Sequence, residues 1–524
     1  MSKTKFVSIE EAVELIKPNT SIGIGGFCGF GAPDSILKGI QKKHERTGYP
    51  NKLTIVTPAS AGDGTEDGWG LAALRGEGLV DSIYTSVLTL PKSIQNLVSQ
   101  NKIAAYMLPL GVFGFIFRSM AGNEPGVLTH VGLNTYCDPR EEGCLINDKA
   151  KQSGKEVVRL LNIDGKDYLL YNNIPMDMCI IRGTYADEEG NISIQHEAVH
   201  AETLAMAQAV HNTGGIVIFE VEKIVEAGAL DPRFVAVHKS CVDYVVLSNE
   251  GEHLQNYGVP YFRPELCGEG KIDTATLPIM PLDVRKVIAR RAAMEIKPGN
   301  LVNIGLGISD GVSMVANEEG VPVMMSIETG LMGGVPMVKV AMGASVNPEA
   351  MYTMPETFDL YNGGGLDQSF LSGAQIDQFG NVNVSKFSGR IIGPGGFINI
   401  SQNTHKMCFL GTFMAGKDMD IRIEEGKLKI VNDGKYLKYV NRVEQITFSG
   451  KYALETEQDV TYISERCVMK LTKEGLMITE IAPGIDLDKD ILDKMEFKPI
   501  VSKDLKLMDE RIFIDEKMNL LDMM

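Results

Sequence analysis

Four stretches of this chain carry residue types at spacings that known chemistry uses. "SIGIGGFCGFGAPD" (21–34) and "NIGLGISDG" (303–311) place glycines after a β-branched run: Gly23, Gly25, Gly26, Gly29 and Gly31, then Gly305 and Gly307. A dinucleotide fingerprint needs glycine at the first, third and sixth places. The sixth place is Cys28 in one run and Asp310 in the other, so neither qualifies. Such turns can still bring backbone N–H groups close to a phosphate or a carbonyl.

"HEAVH" (196–200) is a literal HExxH. On one helix face it would offer His196 and His200 to zinc, with Glu197 as base and Glu202 or His211 as a further ligand. The surrounding "NISIQHEAVHAETLAMAQAV" reads as a strand running into a helix, so both histidines fall in its first turns. Neither extra ligand has a metalloprotease spacing; the ordinary reading is solvated first-turn residues, and no metal is expected. "GISDG" (307–311) matches GxSxG in a strand–turn–helix context, with His405 the one histidine after Ser309. That pair allows a serine hydrolase or acyl-CoA thioesterase as the alternative function.

The fourth is "VPVMMSIETGLMGGVP" (321–336), with one carboxylate, Glu328, in an apolar, glycine-rich run. It falls at the end of an expected buried strand, where parallel α/β sheets present reactive groups. Burial raises a carboxyl pKa and weakens its solvation, and a poorly solvated carboxylate is a good nucleophile. From the residues alone two readings stay open: a nucleophile, or a carboxylate capping the glycine turn through backbone N–H groups.

The elements that must position these groups repeat. "EAVELIKPNTSIGIGGF" from Glu11 and "RAAMEIKPGNLVNIGLGI" from Arg291 each read as a short helix, a proline stop, a strand and a glycine turn. Ser8 and Glu11 form a capping box ahead of the first. "GTYADEEGNISI" (183–194) echoes "GAQIDQFGNVNV" (373–384), and between the two marks the first half carries roughly 90 extra residues. Strand-like runs ("LTIVT", "GIVIFEV", "VDYVVLS", "VPVMMSI") alternate with helical ones such as "HAETLAMAQAVHN", which predicts mostly parallel sheets covered by helices. The fold class is α/β: two tandem open α/β domains with a shared plan, at 1–275 (with the insertion) and 276–524. Residues 251–285, rich in proline, read as the linker, and 418–497 as a β-rich C-terminal extension packed on the second half.

A 524-residue chain, 44% apolar and 23% charged, has ample core. A net charge of −17 argues against a nucleic-acid partner, and an anionic ligand then needs a local positive pocket. No apolar stretch approaches the roughly 20 residues of a membrane span, and the N-terminus lacks a signal-peptide core. The eight cysteines form no CxxC pair, which suits free thiols and a cytoplasmic location.

Here the sequence resembles family I CoA-transferases. "SIETGLMGGVP" (326–336) resembles their active-site segment, with Glu328 as the nucleophile. "GIGGFCGFGAP" (23–33) resembles their amino-terminal signature, and "LVNIGLG" (301–307) the turn of their second half. "DPRFVAVHKSCVDYVV" (231–246), "YNGGGLDQSFLSGAQ" (361–375), "FSGRIIGPGGFINISQ" (387–402) and "ITEIAPGIDLDKDIL" (478–492) are similar to the acetate/propionate CoA-transferase branch. The resemblance implies ping-pong transfer of CoA between a short-chain acyl-CoA and a free carboxylic acid, through an acyl-glutamyl anhydride and a glutamyl-CoA thioester on Glu328. CoA would enter as substrate and covalent intermediate, with no permanent cofactor, in a homo-oligomer. Backbone groups of Gly395 and Gly396, with Gly25, Gly26, Gly305 and Gly307, are the expected oxyanion and CoA contacts. Lys386 and Arg390 are candidates for the CoA phosphates, and Met324, Met325, Leu331 and Met332 for a water-excluding wall. Against the family pattern, Leu110 replaces a frequent glutamine near the acyl pocket, Thr329 a serine or asparagine, and His238-Lys239 a proline-glycine; "NIGLGISD" lacks a following proline.

Overall fold

The computed structural model describes residues 4–338 and 341–524. Two large sheets carry the chain. The first runs in the order Lys5–Val7, Tyr244–Leu247, Ile216–Val225, Met178–Asp187, Ser21–Ile24, Leu53–Val56, Val80–Thr85, Ala104–Met107, each strand parallel to the next. These runs are apolar on both faces, as strands covered on both sides must be. The second sheet repeats that order: Met324–Ser326, Leu301–Ile304, Gln368–Ser372, Lys406–Leu410 and Asp459–Ile463 are again parallel neighbours.

The echo between "ADEEGN" and "IDQFGN" holds atom for atom. Asp187 accepts the N–H groups of Glu189 and Asn191 and the Asn191 amide. Asp377 does the same for Phe379 and Asn381. An aspartate that bonds its own backbone two and four residues on fixes the turn. The extra residues of the first half include the last two parallel strands of its sheet, the helix Leu110–Ala121 and a separate antiparallel sheet of Gly126–Thr129, Lys166–Asn172 and Val158–Ile163.

Two expectations change. The helix after "HEAVH" spans Thr203–Asn212, so His196 to His200 lie before it in a loop and not in its first turns. The C-terminal stretch does more than pack on the second half. Asp459–Ile463, Cys467–Thr472, Gly475–Ile481 and Ile500–Leu507 extend the main sheet, while Asp420–Glu424 and Lys427–Asn432 pair in a hairpin outside it.

Residues 251–285 cross between the sheets with only short 3₁₀ turns before the helix Val284–Ala293. The halves meet along the helix Leu110–Ala121, which packs on Met354–Asn362 and Phe397–Asn403. The approach is close enough that a Cβ on Gly111 would lie 2.5 Å from the Phe358 ring. Asn399 accepts the Gly111 N–H at 3.1 Å, and Arg118 pairs with Asp359 at 2.8 Å. Phe27, Cys28, Phe30, Ala59, Leu90 and Leu110 of the first half belong to the second half's core. Among the described residues no helix is long and apolar enough to cross a membrane.

Candidate active site

Glu328 follows the strand Met324–Ser326 at its C-terminal end. The chain reverses at once: Gly330 donates to the Ile327 carbonyl at 3.0 Å and Ile327 to the Leu331 carbonyl at 2.9 Å. Gly330 has φ +114°, open to glycine alone among ordinary residues. The Thr329 hydroxyl is tied to the Gly343 carbonyl at 2.7 Å. With its neighbours pinned, Glu328 projects into a cavity of about 220 Å³ between the two halves. Phe27, Cys28, Val87 and Leu110 face it from the first half, Met342, Phe397 and Ile400 from the second.

Glu328 is 8% exposed, and no cationic side chain lines the cavity among the described residues. Burial therefore raises its pKa, and its own backbone N–H and the Asn303 amide offset only part of the rise. Asn303 lies on the adjoining strand and also donates to the Ser326 carbonyl and the Tyr361 hydroxyl. Its Oδ1 has no partner among the described residues. Burial and the Glu328 charge hold the Cys28 thiol well above its usual range, so it stays protonated.

Gly305, Gly395 and Gly396 line this cavity with Glu328; Gly25, Gly26 and Gly307 do not. The proposed use of glycine N–H groups narrows sharply. Gly25 donates to Ile180, Gly305 to Phe370 and Gly395 to Ser86, so these three are spent in the scaffold. Gly396 begins the helix Phe397–Asn403, and its N–H has no backbone acceptor among the described residues. A Cβ there would lie 3.3 Å from Glu328 Cγ, so glycine keeps the carboxylate accessible. The expected apolar wall is also relocated. Met324 is exposed, Met325 and Leu331 are buried elsewhere, and none of the four named residues lines the cavity. Strand residues ahead of the turn point across the sheet; the wall at the strand's end comes from loops of the other half.

The competing motifs separate from the site or come apart. Ser309 is fully buried, donating to the Leu306 carbonyl and sharing a hydrogen bond with Ser372, both at 3.2 Å. His405 is exposed at the start of Lys406–Leu410, the opposite end of the sheet from Ser309. A five-residue strand puts them roughly 15 Å apart, which overturns the serine hydrolase alternative. Glu197 is paired with buried Arg182 at 2.6 Å. His196 lies against the Phe262 ring, and no group of three or more side chains that could hold a metal ion occurs among the described residues. Lys386 turns away to the Ile146 carbonyl at 3.4 Å, while Arg390 lines a second, larger cleft.

The sequence reading missed Asn303, Cys28, Met342 and Ser372 as neighbours of this site. Only Asn303 left a signal, as a polar residue inside an otherwise apolar strand.

Comparison with known proteins supplies the rest. Residues 6–248 match the family Coenzyme A transferase. The chain is 40% identical over 521 residues to the acetate CoA-transferase YdiF of Escherichia coli K12, covering 98% of this chain and 96% of that one. It is 41% identical over 520 residues to the caffeate CoA-transferase of Acetobacterium woodii, covering 98% of each. It superposes on the acyl-CoA transferase apoenzyme of Escherichia coli O157:H7 with a TM-score of 0.92 at 39% identity, covering 99% of this chain and 97% of that one. The thioester complex of that protein with CoA matches equally well. A likeness of this extent, running through both halves and the site between them, makes the chain a member of the coenzyme A transferase family and an enzyme of that class.

Proposed function

We propose that this enzyme moves CoA between a short-chain acyl-CoA and a free carboxylate by a ping-pong route on Glu328. One observation carries the reading: a buried carboxylate, with no cationic partner among the described residues, faces a largely apolar cavity at the seam of the halves. A Glu328 oxygen attacks the thioester carbonyl; the C–O bond forms, the C–S bond breaks, and CoA leaves as thiolate. The thiolate then attacks the glutamyl carbonyl of the anhydride. The first acid departs as its carboxylate, and CoA remains on Glu328 as a thioester. An incoming carboxylate reverses both steps and leaves as the new acyl-CoA. The thioester's free energy is kept throughout, so the exchange needs no nucleotide triphosphate.

The surroundings support each step. An anhydride hydrolyses readily, and the apolar wall of Phe27, Val87, Leu110, Met342, Phe397 and Ile400 offers water few partners beside it. The Gly396 N–H is the donor we assign to the oxyanion that develops at each attack. With no cation beside it among the described residues, the carboxylate is weakly stabilised and reactive. The lining favours short apolar acyl groups, since a second carboxylate on the acid would meet no cation among the described residues there. The test is incubation with acetyl-CoA followed by mass spectrometry of peptides; borohydride, which reduces a glutamyl thioester to the alcohol and releases CoA, gives a second mark on the same residue. CoA should appear on the Glu328 peptide, and an adduct confined to any other residue would reject the assignment.

A further inference from the structure

A chain of buried hydrogen bonds ends beside Glu328. It starts at Tyr361, on the helix Met354–Asn362 that packs against Leu110–Ala121 of the other half. Tyr361 is fully buried, its ring edge-on to Phe358 at 5.7 Å. Its hydroxyl donates to Ser326 Oγ at 2.9 Å, and Ser326 in turn donates to the Val302 carbonyl at 3.4 Å. Ser326 and Asn303 stand opposite each other on adjoining parallel strands. Ser326 is two residues before Glu328, and Asn303 two before Gly305, which lines the cavity.

The direction of these bonds fixes the Asn303 amide. Burial pushes the Tyr361 pKa well above the ordinary tyrosine value, so the phenol keeps its proton. That proton is committed to Ser326, and toward Asn303 the phenol oxygen can only accept. Asn303 Nδ2 donates to it at 3.2 Å and to the Ser326 carbonyl at 3.3 Å. Turned over, the amide would set Oδ1 against three acceptors: the phenol oxygen, the Ser326 carbonyl and the Glu328 carboxylate. As it stands, Oδ1 is buried without a partner among the described residues, which is unfavourable by itself. This orientation alone gives Glu328 a donor. Asn303 is the one side chain among the described residues whose hydrogen bond opposes the effect of burial on that carboxyl.

We infer that Tyr361 is a positioning residue for the transfer: its hydroxyl, spent as a donor on Ser326, holds the Asn303 amide with Nδ2 toward the Glu328 carboxyl and so fixes how the nucleophile is held. The inference rests on the transferase reading of Glu328. Tyr361→Phe removes the hydroxyl and keeps the ring in its packing; the amide is then free to turn, and Glu328 loses its fixed donor. The expected result is kcat lowered roughly ten-fold with KM for acetyl-CoA changed less than about two-fold. The acid limb of kcat/KM should move to higher pH, because a carboxylate without its donor is harder to ionise. A tyrosine held only for packing would leave that limb in place. Ser326→Ala, which releases the Tyr361 proton, should move the limb the same way by less. In an Asn303→Leu background, with no amide to hold, Tyr361→Phe should add nothing to the shift. An unmoved limb in Tyr361→Phe, or a shift undiminished without the Asn303 amide, overturns the assignment. A readout without turnover is the pH at which the gain in thermal midpoint from Glu328→Gln levels off, which should rise when both proteins also carry Tyr361→Phe. If it rises while no CoA adduct forms on Glu328, the transferase reading fails and the hydrogen-bond relay stands.

Discussion

Two buried glutamates, one in each half of the repeat, show what decides whether such a group is structural or reactive. Glu197 and Glu328 are 5% and 8% exposed. Burial alone would raise the pKa of both. For Glu197 the guanidinium of Arg182 and the nearby His253 override burial and hold the carboxyl at about 2. For Glu328 no such charge lines the cavity among the described residues, and the pKa stays raised. The repeat shows where the difference arises. Gly25 donates to Ile180 and Gly305 to Phe370; two residues further along each strand stand Arg182 and Ser372. Arg182 in the first half and Ser372 in the second therefore stand at equivalent places, and the cation is present only where Glu197 needs a partner.

Glu328→Ala should lower CoA transfer by roughly four orders of magnitude or more, with the thermal midpoint unchanged or higher; steady-state rates and calorimetry check both. Arg182→Met should destabilise the fold by about 3–5 kcal/mol in denaturant titration, because it leaves Glu197 charged and buried. Arg182→Met combined with Glu197→Met should recover most of that loss. Ser372→Arg would bring the first half's cation to Glu328. It should slow transfer roughly 100-fold or more and move the acid limb of kcat/KM to lower pH.

Gly396→Ala presses a methyl on the Glu328 side chain and should lower kcat several-fold with little change in thermal midpoint. The smallest effect is on stability. A raised folded-state pKa means that ionising Glu328 destabilises the fold as pH rises from the ordinary carboxylate range through the raised value. Glu328→Gln should therefore raise the thermal midpoint by a few degrees near neutral pH and not at pH ~4. Glu197 has the opposite sign. Its contribution is present above the ordinary range and is lost as pH falls toward about 2. A midpoint gain for Glu328→Gln that is the same at both pH values would remove the contrast.

The scaffold was largely legible in the chain because its signals are local. The glycine turns after Ile24 and Ile304, the capping box at Ser8 and the Asp-Gly-Asn turns at Asp187 and Asp377 depend on a few adjacent residues. Glu328 was legible as a lone carboxylate in an apolar run. The helix start after "HEAVH" was misplaced because Glu197 is drawn into a buried pair with Arg182, fifteen residues earlier in the chain. The water-excluding wall was misassigned because Phe27, Val87 and Leu110 reach the site from the other half.

The sequence by itself determined the repeat, the α/β class and the candidate nucleophile, since periodicity, turn chemistry and an isolated charge are properties of short segments. Only the tertiary structure decided which glycine N–H groups remain free, which glutamate is neutralised and which hydroxyl meets the Asn303 amide. Those are properties of groups far apart in the chain, and packing alone sets their distances.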